Sequence, residues 1–371
     1  MLIMKLTIEK TNLLPLLSRA KSVVAARTTV PVLGNLLFHA QDDRLHCVAT
    51  DLDRTLNTSV QAAVSEPGSV TVPASSLTQI VSKLPNGCQI AVETTGDNRI
   101  AVKSGRSRFL LPTLPAEDFP NLEAGEFPFR MALNSAELAQ CMGKTFFAVS
   151  TEETRYYLNG VFMHYRDDGK LVFVATDGHR LSRYVTDAPH NIETMPGIII
   201  PRMAIDECMK LLPKEPAEID IEISSSRIRL HVDNDTLFTS KLIDGSFPDY
   251  ERVIPAANTI TAIISREALM EAVARVETVA ADKSKSVRLT FSEGNVLLEN
   301  SQKMDGAASE ELDIIYDHAP YEVGFSGSYL GNILSVLTGS EVTIKMGEYG
   351  SPAILTGDNG KLTTVLMPMR V

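Results

Sequence analysis

At 371 residues the chain is longer than one hydrophobic core usually supports, so we expect two or three domains. Its 44% hydrophobic and 22% charged residues are typical of a globular protein and argue against disorder. No apolar run approaches the roughly 20 residues that span a bilayer, and the N-terminus lacks a signal peptide, so we expect a cytoplasmic protein. The net charge of −11 excludes a uniformly basic surface, although a local basic stripe could still bind nucleic acid.

The cysteines and histidines give no sign of a metal or redox site. No two cysteines form a CxxC pair, and no two histidines have HxH or HxxxH spacing. We therefore expect no metal and no cofactor, and we expect the cysteines to be reduced thiols, mostly buried. The four cysteines are Cys47, Cys88, Cys141 and Cys208.

The sequence repeats itself about every 125 residues. Val48–Asp51 recurs as Val174–Asp177, and Val70–Pro73 with the helical pattern behind it recurs at Ile198–Pro201. A fainter third copy of this second block starts at Val323. Because the matches keep the same order along the chain, we predict three similar α+β domains. Their predicted bounds are 1–128, 129–254 and 255–371.

Each repeat is predicted to open with a strand that leads into an amphipathic helix. The predicted strands are Lys5–Glu9, Arg130–Asn134 and Thr261–Ser265. Potential capping residues follow or end them, namely Thr11-Asn12, Asn134-Ser135 and Ser265. In the first helix the apolar residues at helical spacing are Leu13, Leu14, Leu17, Ala20 and Val24.

A second helix is predicted after further strands in every repeat, following Pro73, Pro201 or Ser326. Two helices and roughly eight short strands per repeat indicate sheet on the outside and helices on one face. Each repeat must then pack against the next one through its edge strands, since an open edge is otherwise a liability.

The clearest hairpin lies in the second repeat. The apolar runs Val161–Tyr165 and Leu171–Ala175 flank an Asp168-Gly169 pair, which is a strong signal for a hairpin turn. The second run ends in Thr176–Arg180, a segment that suits either an active-site turn or a docking surface.

The strongest candidates for catalysis are Asp51 and Asp177, which hold equivalent positions in two repeats. The alternative is that each aspartate ends a strand and accepts hydrogen bonds from nearby backbone N–H groups, which requires only local geometry. His179 could be a general base, but no nucleophile signature surrounds it, and the chain has no phosphate-loop, zinc-protease or hydrolase motif. We predict that the protein is not an enzyme, with an enzyme acting through the two aspartates as the alternative.

Basic residues recur in the helical segments of the repeats. Any one such cluster usually means a solvated helix face, but clusters on one shared face would form a stripe that contacts phosphates without reading sequence. A DNA-binding scaffold would fit this pattern. The residues are Arg19, Lys21, Arg27, Lys83, Lys144, Arg202, Lys210, Lys214, Arg266, Arg275, Lys283 and Lys285.

The chain ends in a methionine-rich segment. Methionine suits a surface that accepts several partner peptides, whereas a last core strand would explain the same apolar residues. Because Pro368 cannot donate a ladder hydrogen bond, we predict that Met367–Val371 leaves the sheet.

Taken together, several stretches resemble the bacterial DNA polymerase sliding clamp, the beta processivity subunit of the replicative DNA polymerase. The resemblance covers essentially the whole chain. It implies a head-to-tail homodimer of three clamp domains per chain, closed into a ring around duplex DNA, with no sequence specificity and a role in DNA replication. The stretches are Arg27–Leu37, Ser104–Asn121, Arg155–Gly160, Ala175–Leu181, Thr239–Val253 and Met367–Arg370.

The same resemblance implies three functional surfaces. DNA contact falls on Arg27, Tyr156 and Tyr157, while the dimer interface sets Phe109 and Leu111 against Thr278 and Val279. A pocket would take short clamp-binding motifs of the polymerase catalytic subunit, the clamp loader and other proteins. It comprises Leu158, Thr176, Gly178, His179, Arg180, Leu181, Pro248, Arg252, Val253, Val365, Met367, Pro368, Met369 and Arg370.

Three residues depart from the family pattern. Glu152 stands where the family commonly has an uncharged polar residue that contacts DNA, and Ser75 stands where a basic residue is usual. At the implied dimer contact, Thr278 is more polar than the hydrophobic residue expected there.

Overall fold

The computed structural model describes residues 4–25, 28–120, 125–189, 192, 194–278, 286–302, 306–357 and 360–370. These residues contain six α-helices, two in each predicted repeat. The second helix of each pair begins directly after Pro73, Pro201 or Ser326, as predicted. The helices are α1 (Lys10–Val23), α2 (Ala74–Lys83), α3 (Ser135–Phe146), α4 (Arg202–Leu211), α5 (Arg266–Glu277) and α6 (Gly327–Val336).

Short antiparallel strands make up most of the remaining structure. In the first repeat they are β1 (Lys5–Glu9), β2 (Asn35–Gln41), β3 (Arg44–Thr50), β4 (Arg54–Gln61), β5 (Ala63–Glu66), β6 (Gly68–Pro73), β7 (Gln89–Thr95), β8 (Arg99–Ser104) and β9 (Ser107–Pro112). In the second they are β10 (Phe129–Asn134), β11 (Gly160–Arg166), β12 (Lys170–Thr176), β13 (Arg180–Asp187), β14 (Ile198–Pro201), β15 (Glu218–Ile223), β16 (Arg227–Asp233) and β17 (Thr236–Lys241). In the third they are β18 (Ile260–Ser265), β19 (Ser286–Ser292), β20 (Asn295–Gln302), β21 (Gly306–Ile315), β22 (Tyr321–Ser326), β23 (Glu341–Met346), β24 (Ala353–Thr356) and β25 (Leu362–Leu366).

Helix α1 differs from its prediction in its start and in its buried face. Thr11 and Asn12 lie inside the helix rather than capping it, because Lys10 begins it. The Lys10 ammonium group is buried and donates to the Ser82 carbonyl oxygen (3.0 Å) and to that of Leu84 at the end of α2. The buried face is Leu13, Leu16, Leu17, Ala20 and Val23, while Leu14 and Val24 are half-buried.

The other predicted caps are confirmed. Asn134 Oδ1 accepts from the Ala136 N–H (2.9 Å) at the start of α3. Ser265 Oγ accepts from the Ala268 N–H (3.4 Å) at the start of α5, which stabilises a helix end that otherwise has unpaired N–H groups.

The predicted hairpin is also confirmed. Strands β11 and β12 pair from Phe162↔Val174 to Arg166↔Lys170. Gly169 closes the turn with φ 76°, a left-handed conformation that glycine adopts without steric cost.

The strands form three sheets, of five strands (β5-β1-β7-β8-β9), eight strands (β10-β15-β16-β17-β4-β3-β2-β6) and twelve strands (β14-β11-β12-β13-β25-β24-β23-β18-β21-β20-β19-β22). Two pairings join successive repeats, β4 with β17 and β13 with β25. The expectation that repeats share edge strands is therefore confirmed at both junctions.

The chain packs as two compact units, which divide the second repeat between them. The first comprises Met1–Ala136 and Asp206–Leu242, and the second comprises Glu137–Ile205 and Ile243–Val371. The division follows the junction pairings, since β4–β17 lies in the first unit and β13–β25 in the second. The three domain bounds read from the sequence remain a prediction.

None of the four cysteines forms a disulfide. Cys47, Cys141 and Cys208 are buried and Cys88 is half-buried, and burial raises the pKa of the Cys47 thiol. Among the described residues, no group of three or more histidine, cysteine, aspartate or glutamate side chains is arranged to hold a metal ion. Within those same residues, no helix has the length and apolar character needed to cross a membrane.

Candidate functional site

The turn that follows β12 is held by its own side chains. Thr176 Oγ1 donates to the Arg180 carbonyl oxygen (2.7 Å) and accepts from the Gly178 N–H (3.1 Å). Asp177 Oδ1 accepts from the N–H groups of His179 (2.9 Å) and Arg180 (3.0 Å), and Oδ2 accepts from Arg180 Nε (3.0 Å). The Asp177 carboxylate is therefore engaged entirely within the turn.

The turn after β3 repeats this network bond for bond. Asp51 Oδ1 accepts from the N–H groups of Asp53 (3.1 Å) and Arg54 (2.7 Å), and Asp51 Oδ2 accepts from Arg54 Nε (3.0 Å). Thr50 Oγ1 donates to the Arg54 carbonyl oxygen (2.7 Å). Both aspartates are thus turn-forming residues, as the local-geometry interpretation predicts, and neither presents a free carboxylate for catalysis.

The two turns differ at their left-handed residue. Leu52 has φ 78° and is 41% exposed, whereas Gly178 has φ 89°. A methyl group on Gly178 would lie 2.6 Å from Arg155 Nη1, because the Arg155 side chain crosses directly over this glycine. The glycine therefore brings the 152–158 segment against the turn.

Beneath the turn lies an apolar cluster, and two predicted pocket residues belong to it. Leu181 and Val365, 2% and 3% exposed, pack with buried Val172, Val174 and Tyr250. Partly buried side chains cover the cluster, and among them Phe162 and Phe247 stack with ring centroids 4.9 Å apart and planes at 4°. The partly buried residues are Phe162, Val185, Phe247 and Ile254.

Several predicted pocket residues expose their side chains. Met367 is 40% exposed and Val253 is 51% exposed, and Pro248 is exposed as well. Arg252 is 84% exposed and pairs with Asp249 at 2.7 Å. Leu158, in contrast, is buried at 4% exposure and can contribute only to the pocket floor.

Arg180 and His179 lie against an aromatic residue that the sequence did not single out. The Arg180 guanidinium is 4.3 Å from the ring centroid of Tyr329 and 5.2 Å from that of Phe147. The His179 ring stacks on Tyr329 with centroids 6.2 Å apart. Burial, with a smaller contribution from Asp177, raises the pKa of Tyr329, so this phenol stays neutral at physiological pH. The only signal in the sequence that could have pointed to Tyr329 was the presence of an aromatic residue in the first turn of α6.

The predicted departure of Met367–Val371 from the sheet is confirmed for Met367 and Pro368, whereas Met369 forms an isolated bridge to β22 and Val371 lies outside the described residues. Strand β25 ends at Leu366, after which the Met367 N–H donates to the His179 carbonyl oxygen (2.9 Å). The Met369 N–H then donates to the Gly324 carbonyl oxygen (2.8 Å) on β22. The structure thus brings the C-terminus and the Thr176–Arg180 turn together. Pro368, Met369 and Arg370 line a cleft of about 310 Å³ with Tyr321, Glu322, Val323, Gly324, Tyr349 and Gly350.

A half-buried histidine and a buried tyrosine meet beside the apolar cluster. His164 Nε2 lies 2.9 Å from Tyr250 Oη, within hydrogen-bond distance. Burial lowers the pKa of His164 below 6.5 and raises the pKa of Tyr250 to about 12. Both groups are therefore uncharged at physiological pH, which suits the floor of an apolar pocket.

The residues implied for DNA contact lie in and near a short 3-10 segment, Glu153–Leu158. Tyr156 is 54% exposed, and its ring meets the half-buried Tyr157 edge to face at 5.8 Å. Glu152 forms an ion pair with Arg155 at 2.7 Å. Ser75 is exposed at the start of α2, and Arg27 lies outside the described residues.

Two of the implied dimer residues, Phe109 and Leu111, lie on a terminal strand. Strand β9 is the last strand of the five-stranded sheet, where Phe109 is half-buried, Leu110 is 43% exposed and Leu111 is 9% exposed. Thr278 is exposed directly after α5, and Val279 lies outside the described residues.

Several of the basic residues expected in a phosphate-binding stripe have hydrogen-bond or ion-pair partners within the chain. Lys144 Nζ donates to the Val336 carbonyl oxygen. Arg266 donates to the carbonyl oxygens of Gly339 (2.9 Å) and Leu334 (3.3 Å) beyond and within α6. Arg275 pairs with Glu271 and Glu310, Lys210 with Asp206, and Arg19 with Asp233. These partners lie far away in the sequence or one helical turn away, and the spacing of the basic residues alone did not reveal the pairings.

Three family matches cover the chain from end to end. The N-terminal domain of the DNA polymerase III beta subunit matches residues 4–123, the central domain matches 132–249, and the C-terminal domain matches 251–370.

Individual relatives agree with these matches. A beta sliding clamp from Caulobacter vibrioides is 41% identical over 374 residues, covering 99% of this chain and 100% of the relative. A solved sliding clamp from Bartonella birtlesii, bound to griselimycin, is 39% identical with a TM-score of 0.96 and full coverage of both chains. The C. crescentus beta sliding clamp, with polyethylene glycol assigned to a candidate beta-motif tethering region, is 39% identical with a TM-score of 0.94, again over both whole chains.

Proposed function

The chain belongs to the DNA polymerase III beta subunit family, and we propose that it acts as a sliding clamp of two copies closed around duplex DNA. In this role it has no catalytic function. It tethers the replicative polymerase and other DNA-processing proteins, and it works in the cytoplasm, where the bacterial chromosome lies. The main support for a closed dimer is the pattern of strand edges that are paired or unpaired within one chain.

The two junctions inside the chain use equivalent strands. At the first, Arg54 on β4 pairs with Ser240 on β17. At the second, Arg180 on β13 pairs with Leu366 on β25. Arg54 and Arg180 close the same turn network, so the second junction repeats the first.

A third junction of the same kind is left open at the two ends of the repeat series. The equivalent of β4 and β13 in the third repeat is β21, which pairs with β18 only at Ile314 and Ile315. The equivalent of β17 and β25 in the first repeat is β9, the terminal strand of its sheet. Among the described residues, neither β9 nor the remainder of β21 has a further strand partner on its outer edge. A second copy of the chain supplies both partners, and the assembly closes with two such contacts.

The internal junctions also give the register of this contact. Ile100 and Ile228 hold corresponding positions in the first and second repeats. Ile100 pairs with Leu111 and Ile228 pairs with Ser240, so Leu111 and Ser240 are equivalent. Buried Leu45 pairs with Val60 on β4, and buried Val296, in the corresponding place of the third repeat, pairs with Leu312 on β21. Arg54 lies six residues before Val60 and Gly306 lies six residues before Leu312, so Arg54 and Gly306 are equivalent. The register then sets Leu111 opposite Gly306, Phe109 opposite Ala308, and Arg106 opposite Glu311 of the second copy. The opposite charges of the last pair favour this alignment.

For the peptide pocket, support comes from the exposed apolar residues above the Leu181–Val365 cluster. Exposed Met367, Val253 and Pro248 offer an adaptable apolar surface to a leucine or phenylalanine from a short linear motif. Each fully buried anchor contributes roughly 1.5–3 kcal/mol, which permits binding tight enough for tethering and weak enough for exchange. The partners proposed here are the polymerase catalytic subunit, the clamp loader and other proteins with such motifs.

DNA contact is proposed at Tyr156, Tyr157 and Arg27, without base readout. The overall charge of −11 suits this role, because an acidic outer surface does not compete with the pore for DNA. The ion pair of Glu152 with Arg155 offsets the negative charge that this chain carries beside the tyrosines.

Light scattering on the purified full chain at micromolar concentration tests the assembly. We expect the mass of two chains, about twice 40.5 kDa. A mass of one chain across the whole concentration range contradicts the closed dimer.

A further inference from the structure

The two tyrosines rest on a glycine in the loop that follows β17. A methyl group on Gly245 would lie 3.2 Å from Tyr157 Cβ and 3.4 Å from Tyr156 Cε2. The first distance is closer than a Cβ atom usually approaches another side chain. A side chain at position 245 would therefore require the loop or the tyrosines to shift by a few tenths of an ångström.

The two contacts would respond differently to a side chain at position 245. Tyr157 Cβ is bonded to the main chain, so it cannot move away by side-chain rotation and the 3-10 segment itself must shift. The Tyr156 ring is 54% exposed and can rotate, but rotation changes its edge-to-face contact with Tyr157 at 5.8 Å. A larger residue at position 245 thus displaces the tyrosine pair in either case.

The loop and the segment are each fixed by further contacts. Two residues after Gly245, Phe247 stacks on Phe162 at 4.9 Å, which anchors the loop to the apolar cluster. On the side of the segment, Arg155 crosses Gly178 and pairs with Glu152. Because both sides of the contact are anchored, a side chain added at position 245 is not accommodated by movement of a loose loop.

We propose that Gly245 is a positioning residue for DNA contact: its lack of a side chain sets the placement of Tyr156 and Tyr157 toward the duplex. This role rests on the proposed DNA contact of the two tyrosines. Gly245 does not touch DNA, and its effect passes through the tyrosine rings.

The test compares Gly245→Val with Gly96→Val, a control in the turn between β7 and β8 where an added Cβ meets nothing within 4 Å. Binding of a fluorescent duplex is measured by anisotropy at low salt, where phosphate contacts are strongest. We expect Gly245→Val to weaken duplex binding at least about threefold and Gly96→Val to leave it unchanged. Gly245→Ala, which adds one methyl group, gives a smaller loss and serves if the valine variant fails to fold.

A double-mutant cycle separates positioning from a general structural effect. In a background with both Tyr156→Ala and Tyr157→Ala, neither ring is present to be displaced, so most of the effect of Gly245→Val on duplex binding is expected to vanish. The chain contains no tryptophan, so Tyr156→Trp also provides a single fluorophore whose quenching by acrylamide reports ring exposure. We expect that quenching to change with Gly245→Val and to stay the same with Gly96→Val.

The outcomes distinguish this inference from the proposed function. If the parent chain binds DNA through the two tyrosines but Gly245→Val weakens binding equally in the parent chain and in the double-alanine background, the positioning role is overturned and the clamp proposal stands. If Tyr156→Ala and Tyr157→Ala leave duplex binding unchanged, the proposed DNA contact itself is contradicted, and the role of Gly245 with it.

Discussion

The Asp177 carboxylate holds the Arg180 guanidinium at 3.0 Å, with both side chains largely buried. This ion pair fixes the side of the turn that carries His179, and it places Arg180 against the Tyr329 ring at 4.3 Å. Asp177, a catalytic candidate in the sequence, is therefore a structural residue of the turn that contributes to the proposed peptide pocket.

Asp177→Asn is expected to weaken peptide binding and to destabilise the protein by roughly 2 kcal/mol, because the substitution leaves Arg180 without its charged partner. The measurements are the affinity for a synthetic peptide with adjacent leucine and phenylalanine residues, and the midpoint of thermal unfolding. Asp51→Asn is the matched control, since it removes the same ion pair from the equivalent turn. It should destabilise the protein similarly and leave peptide affinity unchanged, and equal losses of affinity in both variants would contradict the assignment.

Removal of residues 367–371 is expected to abolish peptide binding and leave the dimer intact. Met367 is exposed above the apolar cluster and Met369 is tied to β22, whereas the proposed dimer strands are β9 and β21. Peptide affinity and light scattering measure the two properties separately. Met203→Ala, at an exposed methionine on α4, is the control for nonspecific loss, and unchanged peptide affinity after the truncation refutes the pocket.

Charge exchange across the proposed dimer contact tests its register. Arg106→Glu should set two carboxylates opposite each other and weaken the dimer, and Glu311→Arg should do the same with two cations. The combined exchange restores an attractive pair, so its dimer dissociation constant should return toward that of the parent chain. Analytical ultracentrifugation gives these constants. If the combined variant is weaker than both single variants, the two residues do not face each other.

The free energy of unfolding should decrease as the pH falls below 6.5, because His164 is more easily protonated in the unfolded chain than in the folded protein. Burial depresses the pKa of His164 in the folded protein below 6.5, so the unfolded chain binds this proton more readily. The contribution is fully present above pH 6.5 and is lost as pH falls through the lowered folded value. Thermal midpoints between pH 8 and pH 5 should therefore drop less for His164→Gln than for the parent chain, and identical slopes would show that His164 makes no such contribution.

Local features could be predicted from the sequence, whereas contacts between distant residues could not. The hairpin turn at Gly169 and the networks around Asp51 and Asp177 depend on residues within a few positions of each other, and each was anticipated from composition and spacing. Tyr329 was missed because its contact with Arg180 joins α6 to a turn in another repeat. The buried face of α1 was misplaced at Leu14 because the leucine-rich run around Pro15 offers apolar residues at more than one helical phase, so spacing alone did not decide between Leu14 and Leu16.

The expected basic stripe shows the same limit. Lys144, Arg266 and Arg275 have the spacing of exposed helix residues, yet their donors are taken by carbonyl oxygens of α6 and the residues after it, and by carboxylates. Sequence composition records the charges of such residues but does not reveal that they are already paired.

The central claim is that two copies close around duplex DNA, and topological retention measures it most directly. The protein is assembled by a clamp loader on a nicked circular duplex and isolated by gel filtration, and half of the sample is then cut once with a restriction enzyme. The closed dimer predicts that the protein remains with intact circles and leaves the linear DNA by sliding off its ends. Equal retention on circular and linear DNA would contradict the ring and favour an open DNA-binding scaffold.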